Sequence, residues 1–401
     1  MLILCANVGS TSFKYKIIDA ENSQTLVKGE VERIGNPPSL FTYAVPGKPV
    51  VEGELDAPTH NDAIADMLRL ITDPGQGVLE DLSSLAGVGF KTIFAKGVWR
   101  SALITDEVIE ALEAYIPLAP LHNPAYLASI RAFQNRLPGT PLVAVFETWF
   151  HQTIPDYAYE FGVPRSWVEK HQIRRYGFHG ASHRYISERV PKLLGVIPRG
   201  LRIISCHLGG SSSLCAIRDG KSIDTSMGNS TQYGTIQSTR CGDLDPFAVL
   251  YVMDEEELTT DEVRRQLIEE AGMLGISGVS GDLRDVEAAA NAGNDNARAA
   301  METYFYGVKK YIGAYIVALS GVDVIAFAGG IGEKSAIARA KICSGLEWCG
   351  IQVDPAKNES HSGEGEISTA NSRAKILVVP TDEEIIVTRE TANVIRDTKG
   401  A

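Results

Sequence analysis

Leu2-Ile3-Leu4-Cys5-Ala6, Asn7-Val8-Gly9-Ser10-Thr11-Ser12 and Phe13-Lys14-Tyr15-Lys16-Ile17-Ile18 follow one another without a break. The first is a short apolar run, the second a turn of small residues, and the third partly alternates apolar with polar side chains, which predicts a β-hairpin. The same grammar returns near mid-chain. Leu201-Arg202-Ile203-Ile204-Ser205-Cys206 leads into His207-Leu208-Gly209-Gly210-Ser211-Ser212-Ser213, then Leu214-Cys215-Ala216-Ile217-Arg218 and an Asp219-Gly220 turn. Two such hairpins, half the chain apart, predict a duplicated architecture.

A third glycine-rich turn follows the apolar run Val322 to Phe327. Here Ala328-Gly329-Gly330-Ile331-Gly332-Glu333 opens a helical stretch, Lys334 to Arg339, and a strand, turn and helix N-terminus in that order form a natural anion site. Amphipathic helices are expected at Asp106 to Tyr115 and at Pro124 to Arg136, the second capped by Asn123 and ended by Pro138-Gly139. Met301 to Leu319 is helical with apolar positions that could be buried within the chain or at an interface. Gly35 to Val50 is Pro-rich and weakly periodic, and Gly and Ser crowd residues 360–365, so both read as surface connections. Strands mixed with helices give the α/β class, and 401 residues, 44% of them hydrophobic, suffice for two cores.

Lys and Arg number 38 against 50 Asp and Glu, a formal net charge of -12, and no basic block is present to hold a phosphate backbone. Nucleic acid is therefore excluded as the expected partner. Six cysteines form no C-x-x-C and no Cys/His cluster, which fits reduced thiols in a chain this long. Strand-like sequence starts at Leu2 without a signal-type leader, and no apolar run reaches the ~18–20 residues of a membrane span. A cytoplasmic protein is expected.

Each motif has a plain reading beside a chemical one. Asn7 to Ser12 offers backbone N–H groups, hydroxyls and an amide as a phosphate-holding loop would, yet such strings also make ordinary turns. Gly329 to Ser335 is not a Walker A loop, because Glu333 stands where Gly must precede the Lys, and Ser335 breaks G-x-G-x-x-G. Arg174-Arg175-Tyr176-Gly177-Phe178-His179-Gly180-Ala181-Ser182-His183-Arg184 is a dense polar cluster. His179 and His183 could ligate zinc at i, i+4, but Gly180 occupies the zincin glutamate position, so handling of an anionic substrate fits better. Ser238 to Pro246 sets Arg240 beside turn residues and two carboxylates, as either a surface ion pair or an anion ligand.

Taken together, Asn7 to Ser12, Leu118-Ala119-Pro120-Leu121-His122-Asn123-Pro124-Ala125, Arg174 to His183, Thr239 to Pro246, Gly278-Val279-Ser280-Gly281-Asp282-Leu283-Arg284-Asp285 and Gly330 to Glu333 resemble the acetate kinase family in order and spacing. The resemblance implies an α/β, two-domain actin-like ATPase (ribonuclease H-like) fold, with duplicated mixed β-sheets flanked by helices and an interdomain nucleotide cleft. It implies an acid-kinase domain of residues 1–148 plus 384–401 and a nucleotide-binding domain of residues 149–383. The implied activity is reversible, Mg²⁺-dependent transfer of the ATP γ-phosphoryl to the carboxylate of a short-chain fatty acid, giving acyl phosphate and ADP, in a homodimer.

By the same resemblance, Asn7 and Glu383 help hold Mg²⁺, and Glu147, His179 and Arg240 are catalytic, the last two stabilising the phosphoryl group in flight. Ser10, Ser12, Lys14, His207, Gly209, Gly210 and Ser211 bind the nucleotide, with Asp282, Arg284 and the turn Gly330, Ile331, Gly332 and Glu333 facing its adenosine. Lys91, Ile93, Leu121, Phe178 and Thr231 bind the acid. Such chemistry asks mainly for in-line positioning and for cations around the equatorial oxygens, and a carboxylate nucleophile, ionised at neutral pH, needs no general base. Four positions depart from the family pattern: Lys91 replaces an arginine, Glu147 an aspartate, Gly210-Ser211 an Asn-Gly pair, and Thr231 a proline. Lys91 and Glu147 are expected to be a coupled pair. The departures keep two alternatives open, a kinase for a different small carboxylic acid and a catalytically weak nucleotide-binding regulatory homologue.

Overall fold

The computed structural model describes residues 1–120 and 122–399. β1 (Leu2–Val8) and β2 (Ser12–Asp19) pair antiparallel, Val8 opposite Phe13 and Leu2 opposite Asp19, so the opening sequence is the predicted hairpin with a turn of only three residues. β2 continues antiparallel into β3 (Gln24–Glu32), β4 (Ser39–Ala44) and β5 (Val51–Leu55). On its other side β1 runs parallel to β6 (Leu85–Thr92), and β6 runs parallel to β8 (Leu142–Phe146), with β7 (Ala102–Leu103) as an antiparallel edge. Ile3, Leu4, Cys5 and Ala6 are all buried, as expected of a strand covered on both faces.

Two expectations fail here. Ser39–Ala44, within the Pro-rich stretch, is a paired strand and not a surface connection, because its prolines (Pro37, Pro38, Pro46, Pro49) flank it while Ser39 and Tyr43 are buried at strand period. Asn123 does not cap its helix: His122 holds the cap position, and buried Asn123 donates from Nδ2 to Leu112 O at 2.8 Å.

The helix Glu383–Lys399 packs on β1 and β8, bringing Val387, Ala392 and Ile395 against Ile3, Cys5, Val143 and Val145. It also lies close to β6, where a Cβ at Gly89 would fall 2.1 Å from Thr391 Oγ1. One compact unit therefore combines Met1–Trp149 with Asp382–Ala401, and a second comprises Phe150–Thr381.

The second unit contains β9 (Arg202–His207), β10 (Ser213–Arg218), β11 (Lys221–Thr225), β12 (Val324–Ala328), β13 (Gly365–Glu366) and β14 (Lys375–Val378). Its order, β11-β10-β9-β12-β14-β13, repeats the β3-β2-β1-β6-β8-β7 portion of the first sheet strand for strand. Pairing directions repeat too: β9–β10 and β10–β11 are antiparallel, while β9–β12 and β12–β14 are parallel. The two hairpins read from sequence are the equivalent starts of two mixed sheets. The helix Asp295–Ala318 packs Ala300, Tyr304, Val308, Ile312 and Tyr315 into the core of this unit, and Gly180–Leu194 packs Ile186 and Val190 on a second cluster with Ile203 and Ala326. Among the described residues, no helix is long and apolar enough to cross a membrane.

Candidate active site

In the first unit, the parallel strands β1, β6 and β8 end at one edge, and ligands of α/β sheets gather at such carboxyl ends. Asn7 stands near the end of β1, Lys91 near the end of β6, Glu147 directly after β8, and Glu383 opens the covering helix. Cys5 Sγ donates to Glu384 O at 3.3 Å, and burial pushes its thiol up to about 12; Asn7, two residues on, shares that strand face. Lys91 Nζ forms an ion pair with Glu383. Burial disfavours the Lys91 ammonium, but Glu147 and then Glu383 outweigh it, so its pKa is raised and the charge is kept. Glu147 and Glu383 both act on the Lys91 charge, and the ion pair itself goes to Glu383. Beside them, Lys16 bridges Asp382 and Glu384, each at 3.2 Å.

Gly9 N donates to Ser12 O at 2.8 Å, and Gly9 O accepts from His60 Nε2 at 2.8 Å, which fixes the first turn. Ser10 is exposed and Ser12 half-buried; Lys14 pairs with Glu30 at 2.6 Å. Ile93 is buried just past β6, and Leu121 lies outside the described residues.

In the second unit, buried Phe178 precedes His179, which adopts a left-handed backbone (φ 55°) at the start of the helix Gly180–Leu194. A non-glycine residue there is strained and is held by its surroundings. Ser213 Oγ lies 2.8 Å from both His179 Nδ1 and His183 Nε2, His183 Nδ1 lies 2.8 Å from Ser205 Oγ, and the His179 ring stacks on His207 at 4.3 Å. His207 Nδ1 in turn lies 2.8 Å from Ser182 Oγ. Burial, then His151 and His207, holds His183 well below its usual pKa, and burial lowers His151 to about 4, so both rings are neutral. The i, i+4 histidines therefore share a hydroxyl.

Arg240 is half-buried, and desolvation lowers its pKa. Its Nη1 reaches Ser211 Oγ (3.2 Å), Gln237 Oε1 (3.3 Å) and Thr231 O (3.5 Å), all neutral acceptors. The adjoining residues wall a cavity of about 430 Å³ lined by Gly209, Gly210, Ser238, Gly281, Asp282, Leu283, Arg284, Glu287, Gly330, Ile331, Lys334 and Ser335. Asp282 caps the helix Leu283–Asn291 through Arg284 N, and its hydrogen bonds with Arg284 hold its carboxyl at about 2.

Gly329 has φ +75°, and a Cβ there would meet Leu208 O at 2.6 Å, so only glycine lets the two glycine turns approach. Ile331 N and Gly332 N both donate to Leu208 O. Gly330 and Ile331 face the cavity, whereas Gly332 is buried and Glu333 reaches back to accept from Gly329 N at 3.0 Å. Glu333 thus closes its own turn. The cavity also takes Ser238, Leu283, Glu287 and Lys334, which sequence reasoning did not assign to it. Leu283 and Glu287 are one helical turn apart, a signal available once Asp282 was placed, whereas nothing in the sequence distinguished Gln237.

The acetokinase family profile is matched across residues 2–389. The chain is 45% identical over 396 residues to an acetate kinase of Clostridium botulinum (strain 657 / Type Ba4), spanning 98% of this chain and 99% of that one. It is 44% identical to an acetate kinase of Dictyoglomus turgidum, spanning 98% of each. Among solved structures it resembles Porphyromonas gingivalis acetate kinase, with a TM-score of 0.88, 39% identity and coverage of 98% and 99%. A propionate kinase from Francisella tularensis gives a TM-score of 0.90 at 34% identity with the same coverage. Full-length matches of sequence and of fold do not favour the regulatory alternative. With paired glycine turns beside a half-buried arginine on a duplicated mixed-sheet fold, the chain belongs to the acetokinase family, enzymes that use ATP to phosphorylate carboxylates.

Proposed function

We propose that this enzyme transfers the γ-phosphoryl of ATP reversibly to the carboxylate of a short-chain fatty acid, giving an acyl phosphate and ADP, with Mg²⁺. The observation that carries the proposal is Arg240, a half-buried guanidinium whose only acceptors among the described residues are neutral, next to a glycine-walled cavity. A half-buried cation without a counter-charge is suited to an anion. Arg240 and His179 would stabilise charge on the transferring group, and Asp282, Arg284, Gly330 and Ile331 would face adenosine. Gly209, Gly210, Ser211, His207, Ser10, Ser12 and Lys14 would approach the phosphates, while Gly332 and Glu333 keep the turn in shape.

Among the described residues no three Asp, Glu, His or Cys side chains gather as a metal site, so the residues at the ends of β1, β6 and β8 would supply only one or two oxygen ligands to a Mg²⁺ carried mainly by the nucleotide phosphates. Glu383, a hard oxygen donor paired with Lys91, and Glu147, which also acts on the Lys91 charge, supply the negative charge there, while Asp382 and Glu384 are taken by Lys16. Asn7 and Glu383 would hold the ion, and bound Mg²⁺ would neutralise phosphate charge. Lys91, paired with Glu383, would bind the acid's carboxylate, and Ile93, Leu121, Phe178 and Thr231 would receive its alkyl chain. The acid arrives ionised and attacks without a base. Residues 149–383 would form the nucleotide-binding domain.

A homodimer is supported by the helix Pro246–Glu255, whose Phe247 (75% exposed), Leu250 (52%) and Tyr251 (64%) form an uncovered apolar face. Free cysteines, four of them buried, support a cytoplasmic setting. The test is hydroxylamine trapping with MgATP and straight-chain acids of two to five carbons, with an EDTA control. Hydroxamate that needs both ATP and Mg²⁺ is expected; none from any acid, with ATP still bound, would overturn the proposal.

A further inference from the structure

Gln237 is 1% exposed, and both ends of its amide are hydrogen-bonded. Its Oε1 accepts from Ser211 Oγ at 2.7 Å and from Arg240 Nη1 at 3.3 Å, and its Nε2 donates to Thr231 O at 2.8 Å. Its backbone N donates to Arg240 O at 3.2 Å. One neutral side chain therefore ties together the glycine turn, the Thr231 segment and the guanidinium. Only Nη1 of Arg240 is spent, so Nε and Nη2 make no hydrogen bond among the described residues. Those two donors form the edge of the guanidinium that matches an oxyanion.

A carboxylate in place of Gln237 would hold Arg240 at least as firmly and would also cancel its charge. A neutral amide fixes the group without doing so. Ser211, where the family pattern has glycine, adds a hydroxyl to the same grip. We propose that Gln237, assisted by Ser211, is a positioning residue that holds Arg240 through neutral acceptors and leaves its charge and its Nε/Nη2 edge for the transferring phosphoryl group. The inference rests on the reading of Arg240 given above.

The test compares Gln237→Glu, which is nearly isosteric and keeps the Oε1 acceptor, with Gln237→Met, which removes both hydrogen-bonding groups without adding charge. Each is made alone and with Arg240→Ala, and folding is checked by thermal denaturation. Arg240→Ala should lower kcat by roughly 10²–10³-fold, the effect of removing one donor aimed at developing charge. Gln237→Glu should lower kcat about tenfold or more with KM for ATP changed less than about twofold, and neither Gln237 change should slow the Arg240→Ala enzyme further.

If Arg240→Ala turns over normally, the reading of Arg240 fails and the inference with it. A slow Arg240→Ala enzyme beside a Gln237→Glu enzyme of unchanged kcat overturns the inference alone. Equal losses from Gln237 changes with and without Arg240 would mark a role in the fold, and also overturn it. Should the Gln237 variants not fold, Ser211→Ala, at the half-buried rim, is expected to cost roughly threefold to tenfold in kcat, the worth of one hydrogen bond, and unchanged kcat there overturns the proposal.

Discussion

His151 and His183 stand with ring centroids 5.7 Å apart, each held by serine hydroxyls and neither able to take a proton cheaply. In the unfolded chain both would titrate near 6.5; in the fold His151 titrates at about 4 and His183 well below 6.5. Between those values the unfolded state binds more protons, so stability falls as pH drops below about 6.5 and nothing is lost above it. Each ring can cost up to about 1.4 kcal/mol per pH unit in that window. The urea midpoint should therefore fall between pH 7 and pH 5, and His151→Gln, though weaker at pH 7, should show a shallower fall. Parallel pH profiles for the two proteins would show that the His151 ring is not held neutral by burial. The sequence displayed the His179/His183 spacing, but not that Ser213, far along the chain, binds both rings, since a serine hydroxyl carries no pattern. It displayed Lys91 and Glu147 likewise, while the carboxylate that pairs with Lys91 belongs to Glu383, brought back from the far end of the sequence.

The segment Gly329–Lys334 is helical from its first glycine, where sequence reasoning put a turn and began the helix at Lys334. Glycine's poor helix propensity argued for the turn, and close packing on Leu208 overrides it. The strand, the anion-type turn and the following helix were legible because apolar run, glycines and helical period succeed one another. The approach of a second turn was not, because it depends on Leu208 O. Two neighbouring glycines separate these requirements. A Cβ at Gly329 would lie 2.6 Å from Leu208 O, against backbone that cannot yield, whereas a Cβ at Gly330 meets nothing within 4 Å and enters the cavity. Gly329→Ala should destabilise by about 2–4 kcal/mol, from strain at positive φ plus the clash. Gly330→Ala should change stability by less than about 1 kcal/mol while weakening ATP binding measured by calorimetry. Equal stability of the two variants would refute the packing argument.

At the scale of the molecule, the duplication was readable because both sheets begin with the same hairpin grammar, whereas the joining of residues 384–401 to the first domain was implied only by family resemblance, and the compact unit of the fold takes up the chain again at Asp382. The helix Glu383–Lys399 covers Cys5, whose Sγ contacts Glu384 O and Thr388 Oγ1. Removing residues 382–401 should uncover that face and make Cys5 reactive toward a thiol reagent, located by peptide mass, while Cys206 and Cys215, buried in the second unit, stay protected. A Cys5 that remained inert would show that the sheet holds together without its helix. The same arrangement sets an order of events on the ribosome. All of Phe150–Thr381 is synthesised before residue 382, so the second unit can complete itself first, while the nascent first sheet presents Ile3, Val143 and Val145 uncovered. At ~5–20 residues per second that interval lasts on the order of tens of seconds. Translation thus leaves an apolar sheet face without its cover until the last helix is made.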